Sequence, residues 1–163
     1  MNLKLLLPVL LSLTALPAPA DTLKLKVSEI LSLHDGLSAL DGYQKEVPQG
    51  EGQPSRIIAA GYKFSAKVKW AVADDLAAVA KVKAVYDAAV LATVKAVSPD
   101  GTGEAIDKSP ALKARFSDEV RKLQELEKPV DLTLLTREDL NLDVNAGIPG
   151  TVLTWLAPIL KKP

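Results

Sequence analysis

His34 and Asp35 are adjacent, and Ser32 and Ser38 fall within one helical turn of them, so a base and a nucleophile can be imagined together on one short segment. Histidine changes charge near neutral pH and can take a proton from a hydroxyl. Acyl transfer by such a pair also needs an oxyanion hole and a third group that orients the base, and no other segment offers them. The expectation is a partly exposed helix-face histidine. Asp74-Asp75 could contribute to a cation site. Neighbours on a helix point about 100° apart, however, and no further acidic residue lies one turn away on either side, so a solvated face is expected. Asp100-Gly101-Thr102-Gly103 loosely suggests an acidic cation loop, or an aspartic-protease triplet with an insertion. The remaining ligands of the first and the second copy of the other are missing, and the stretch reads as a hinge between two helices.

Composition narrows the chemistry further. The 163 residues include no Cys and one His, which excludes a thiol nucleophile, a disulfide framework, an iron–sulfur cluster, Cys-ligated zinc and an all-His metal centre. No catalytic, cofactor-binding or metal-binding residue is assigned, and no cofactor is expected. Twenty Lys and Arg balance twenty Asp and Glu, so no net positive field draws nucleic acid to the chain. Lys63, Lys67, Lys69, Lys81 and Lys83 make one stretch locally basic. Asp74, Asp75 and Asp87 interleave with them, and Lys83 and Asp87 have the spacing of an ordinary surface pair, so a nucleic-acid partner is not expected.

The first twenty residues differ in character from the rest. Lys4 is followed by an apolar run from Leu5 to Leu16 and then by Pro17-Ala18-Pro19-Ala20, with small residues three and one before a cut. That order predicts a secretory signal peptide over 1–20, cleaved between Ala20 and Asp21, and a periplasmic or secreted product. The apolar run is shorter than the roughly 20 residues that cross hydrocarbon, and Pro8 and Pro17 interrupt it, so no membrane span is expected. A start-site error would instead leave the protein in the cytoplasm. Met1 is the only methionine, so translation would then begin at a non-AUG codon near Leu23 or Val27.

The rest, 21–163, is read as one domain. Residues 22–27 alternate apolar and polar, as a half-buried strand does. Ser28 then caps a helix to about Asp41 whose stripe is Ile30, Leu33, Leu37 and Leu40. Gly42 to Gln53, with its glycines and Pro48, is expected to be a loop, either a connector or a recognition element. Residues 56–63 are expected to form a strand. Ser65–Val97 holds no Gly or Pro and predicts a helix of about 32 residues, near 48 Å, with Val72, Leu76, Val79, Tyr86, Val90, Thr93 and Val97 inward. Trp70 lies off that stripe. It is expected to pack on a neighbouring sheet, and would mark a partner site if exposed. Ser109–Glu127, with Pro110 at its first position, forms a second helix carrying Leu112, Phe116, Val120, Leu123 and Leu126. A strand follows over 130–135, then a short turn capped by Thr136 and Asp139, and a final helix from Pro149 with Val152, Leu153, Trp155 and Leu156. The predicted fold is α+β and mainly α. Its features are a long antiparallel helical hairpin, a small three-stranded sheet from 22–27, 56–63 and 130–135, and a short C-terminal helix.

Several stretches, in order along the chain, bear a resemblance. Leu25-Lys26-Val27-Ser28-Glu29-Ile30-Leu31 leads into Leu37-Ser38-Ala39-Leu40-Asp41-Gly42, and Tyr62-Lys63-Phe64-Ser65 opens the long helix. Arg115-Phe116-Ser117-Asp118-Glu119-Val120, Pro129-Val130-Asp131-Leu132 and Ile148-Pro149-Gly150-Thr151-Val152-Leu153 follow in the same order. Over about 23–160 this resembles a family of small proteins of unknown function encoded by tailed phages and prophages. The resemblance implies a compact accessory protein, an assembly or interaction factor, and carries no catalytic residues. Such proteins usually begin at the first strand and stay in the cytoplasm, so the leader is a departure. The expected function is a non-enzymatic, exported interaction or assembly protein whose hairpin binds an unidentified protein partner or a copy of itself. The alternative is a small periplasmic ligand-binding protein or hydrolase with a site near His34 and the 42–55 loop.

Overall fold

A computed structural model describes residues 20–47, 56–98 and 100–161. The leader expected over 1–20, apart from Ala20, and the 48–55 part of the expected loop lie outside the described residues. In chain order the elements are β1 (Asp21–Lys26), α1 (Val27–Asp41), β2 (Tyr43–Val47), β3 (Arg56–Ala60) and α2 (Ala66–Val97). Then come α3 (Gly103–Lys108), α4 (Pro110–Gln124), β4 (Glu127–Leu132), α5 (Arg137–Leu140) and α6 (Gly150–Trp155), and a 3-10 turn over Ala157–Ile159.

Four of the helices begin with a side chain bonded to a backbone amide at their first turn, while α3 and α6 have no side-chain cap. Lys26 N donates to Glu29 Oε2 at 2.8 Å ahead of α1, Val68 N to Ser65 Oγ at 3.3 Å in α2, and Leu112 N to Ser109 Oγ at 3.4 Å in α4. Thr136 and Asp139 cap α5 reciprocally, with Thr136 N donating to Asp139 Oδ2 at 2.8 Å and Asp139 N to Thr136 Oγ1 at 3.1 Å. The connection between the long helices contains α3, which the turn-rich reading of 98–103 does not anticipate.

The fold is mainly helical, and the three-stranded sheet is replaced by two separate antiparallel pairs. β1 pairs with β4, Asp21 opposite Leu132 and Lys26 opposite Glu127. β3 pairs instead with β2, Tyr43 opposite Ala60 and Val47 opposite Arg56. A local hairpin closes only a short loop, which costs less chain entropy than carrying 56–60 to a distant sheet. The expected loop hides β2 because its glycines and proline cluster around that segment: Gly42 precedes it and Pro48 follows it. β4 likewise starts at Glu127, before Pro129, which the edge of a two-stranded ribbon tolerates.

The core lies where α1 crosses the first half of α2. Ile30, Leu33, Leu37 and Leu40 meet Val68, Val72 and Val79, and Val130, Leu132, Leu140, Val152, Leu156 and Ile159 close the cluster. The C-terminal segment is stitched on by Leu135 N to Ile159 O at 2.9 Å and Lys161 N to Leu135 O at 2.8 Å. The second half of α2 extends beyond this core, and α4 returns along it, Gln124 Nε2 donating to Tyr86 Oη at 3.1 Å. α4 buries no residue fully; Leu112, Phe116, Val120 and Leu123 are half-buried, while Val97 and Ile106 are buried at the far tip. The helix pair is thus a projecting arm, and α1 is the principal partner of α2.

Candidate functional site

The residues considered for catalysis do not assemble into a site. His34 Nδ1 lies 3.3 Å from the exposed Asp35 Oδ1, while Ser32 Oγ donates to the Ser28 carbonyl of its own helix at 3.2 Å. The cleft between α1 and α6 is lined by Ser28, Ser32 and Trp155, and that at the end of α1 by Asp41, Tyr62 and Lys69; neither includes His34. Asp100 Oδ1 accepts from Ser98 Oγ and, at 3.0 Å, from Thr102 N, bonds that hold its carboxyl below the usual carboxylate range. Gly101 has φ +71°, the left-handed backbone that favours glycine. The stretch is a self-satisfied hinge, as its sequence suggests. Among the described residues no three His, Asp or Glu side chains gather as a metal site, and no helix is long and apolar enough to cross a membrane.

Asp74 and Asp75 have opposite fates. Asp74 is exposed, but Asp75 is 2% exposed, which overturns the solvated-face reading for that residue. Its position is three residues after Val72 and four before Val79, so it shares their inward side. Asp75 Oδ1 accepts from Thr133 N at 2.8 Å, tying α2 to the end of β4. Oδ2 is buried without a hydrogen-bond partner. Burial pushes the carboxyl up to about 6, against the opposing hydrogen bond from Thr133, with a small further push from the Asp74 charge. Asn145 is a second buried polar residue, fully engaged: Oδ1 accepts from Lys63 N at 2.8 Å, and Nδ2 donates to Leu140 O at 2.8 Å and Lys63 O at 3.3 Å. Both polar residues hold together segments distant in the chain.

A cleft of about 350 Å³ next to the Thr133 backbone is lined by Asp21, Lys67, Asp139 and Lys161, among apolar neighbours from α2 and the β4–α5 connection. Its charges are two of each sign, and Asp139 is already committed to the α5 cap. Asp75 is not in its wall.

The outer side of α2 is the distinctive surface. Trp70 is 71% exposed, Val85 68% and Leu91 58%. At 100° per residue these three project on the side opposite Val72 and Val79. The space between them is filled by the exposed Ala73, Ala77, Ala84, Ala88 and Ala92. A surface helix normally turns a charged face to water, and this one shows an apolar strip along its length, with only Asp74, Lys81 and Lys95 charged along its middle. Trp70 therefore does not pack against a sheet; it is exposed. Lys67 lies on one flank of the strip and Lys69 and Lys83 on the other, and Lys83 is held by Asp87 at 2.6 Å. A second, outward apolar stripe on the same helix was the sequence signal for this surface, concealed because alanine reads first as a helix former.

No protein-family model, curated protein or solved structure matches the chain.

Proposed function

We propose that this protein is a non-enzymatic interaction or assembly protein, exported after removal of its leader, that binds a protein partner through the arm made by α2 and α4. The observation that carries this reading is the exposure of Trp70, Val85 and Leu91 on one side of α2. Large apolar groups that stay in water on one continuous helix face gain free energy when a partner covers them. Export is supported by the leader pattern, and Ala20 is exposed while Asp21 opens β1, so a cut between them leaves the described fold intact. A phage origin is supported by the order of motifs from Leu25 to Leu153.

The test uses the full chain expressed in its native host with a photo-crosslinking side chain at Leu91, at Val85 or, as a control, at the exposed Glu138 of α5. Adducts at Leu91 and Val85 and none at Glu138 are expected. Absence of any adduct at the two arm positions, or identical adducts at all three, would refute the reading. Intact mass of the exported product should begin at Asp21; an uncut or cytoplasmic product would remove the export part.

A further inference from the structure

We infer that the partner covering the outer face of α2 is a second copy of this chain, its α2 lying antiparallel in a register centred between Ala84 and Val85. This rests on the reading of the arm as an interaction surface and names its occupant. Three charges lie on the strip. Asp74, Lys81 and Lys95 are exposed, and among the described residues none of them forms an ion pair. A symmetric parallel pairing would set each of these charges against its own copy, three like-charge contacts. The antiparallel register instead sets Asp74 opposite Lys95 of the second copy, and by symmetry Lys95 opposite Asp74. Lys81 then faces only Ala88.

Size complementarity follows in the same register. Ala77 lies opposite Ala92 near the centre line, Val85 lies beside its own copy on one edge and Ala84 beside its own copy on the other, so small residues line much of the seam and the two backbones can approach closely. Leu91 lies on the Ala84 edge, near Ala77 of the second copy. A closed two-fold contact of this kind uses the same patch on both copies and leaves no open end for a fibre.

The area sets the strength. In this register residues 72–97 of the two copies overlap, a strip about 39 Å long that leaves Trp70 outside it. At a width of about 10 Å, two copies bury on the order of 800 Å², below the standard size of specific protein contacts. The dimer is therefore one that forms and dissociates with concentration.

Sedimentation of the mature chain at low salt, from about 5 µM to about 1 mM, reads this directly. A monomer–dimer transition inside that range is expected. Asp74→Lys and Lys95→Asp should each weaken the dimer about tenfold, since two attractions become two repulsions. The double variant D74K/K95D should return to near wild-type affinity, a recovery that parallel pairing does not give. Leu91→Asp should abolish the dimer while the circular dichroism stays unchanged. A wild-type monomer throughout the range, or a dimer indifferent to both charge changes, overturns the inference. If the chain is monomeric while crosslinking at Leu91 still captures a different protein, the arm is an interaction surface and the second copy is not its occupant.

Discussion

Asp75→Asn tests whether a charge is held uncompensated in the core. The carboxyl ionises near 3.8 in a solvated chain and near 6 in the fold, because burial penalises the anion more than the single bond from Thr133 N supports it. A folded value above the unfolded one means that the folded state binds the proton more tightly. The associated stability is present below about pH 4, is lost as pH rises, and is gone above about pH 6. The difference of about two pH units corresponds to about 3 kcal/mol, a large part of the 5–15 kcal/mol that holds a typical domain together. Asparagine keeps the shape and the acceptor for Thr133 N, and cannot ionise. Below pH 4 the carboxyl is neutral with one unpartnered O–H and the carboxamide has two unpartnered N–H groups, so the variant should be no more stable than wild type there. Relative to that low-pH difference the variant should gain about 3 kcal/mol by pH 7.5, most steeply between pH 4 and 6. Urea unfolding at one-half pH intervals, followed in parallel by far-ultraviolet circular dichroism and by tryptophan fluorescence, measures the gap. The other carboxylates, including Asp100 and Glu119 whose values are lowered, cancel in the difference between the two proteins. A difference that stays flat with pH, or a variant less stable at pH 7.5 than at pH 4 relative to wild type, would refute the account of Asp75 as an unsolvated charge.

Gly36 packs under α6, where an added Cβ would lie 3.1 Å from Trp155 Cβ and 3.3 Å from Leu156 Cδ2. Alanine gains about 1 kcal/mol of helix propensity there and forces an atom close to the α6 backbone aside, which costs about 1–3 kcal/mol. Gly36→Ala should therefore lower stability by about 1 kcal/mol in urea titration, and a stabilised variant would show that α6 yields freely. Asn145→Asp keeps the bond from Lys63 N but turns an oxygen toward the carbonyls of Lys63 and Leu140. A loss of about 3 kcal/mol is expected at pH 7, smaller at pH 4 where the acid is protonated, and an equal loss at both pH values would contradict the assigned donors.

Hydrophobic period alone carried much of the architecture. The inward stripes of α1 and α2, with Ile30, Leu33, Leu37 and Leu40 and with Val72 and Val79, are buried as the spacing requires, since a 3.6-residue repeat leaves one face that must leave water. The Thr136–Asp139 cap and the hinge at Asp100 were legible because their hydrogen bonds span two or three residues. The partner of β3 was not, because strand pairing is a choice among distant edges that no local pattern records. The site reading failed in the same way. Val72 and Val79 placed Asp75 on the buried side of its helix, yet its charge suggested water, and only the arrival of Thr133 N from the end of β4 explains how it is accommodated. Asn145 reads as a turn residue until Lys63, far away in the chain, presents both of its backbone groups.

What the amino-acid order determined by itself was therefore local: helix lengths, caps, inward faces, and the absence of cysteine chemistry. Tertiary structure decided which side of α2 remains in water. Both sides of that helix carry apolar residues, and only the position of α1 and α4 selects the one that Trp70, Val85 and Leu91 leave uncovered. The physical reason is that burial is a property of neighbours, and a helix has no neighbours until the chain has folded back on it.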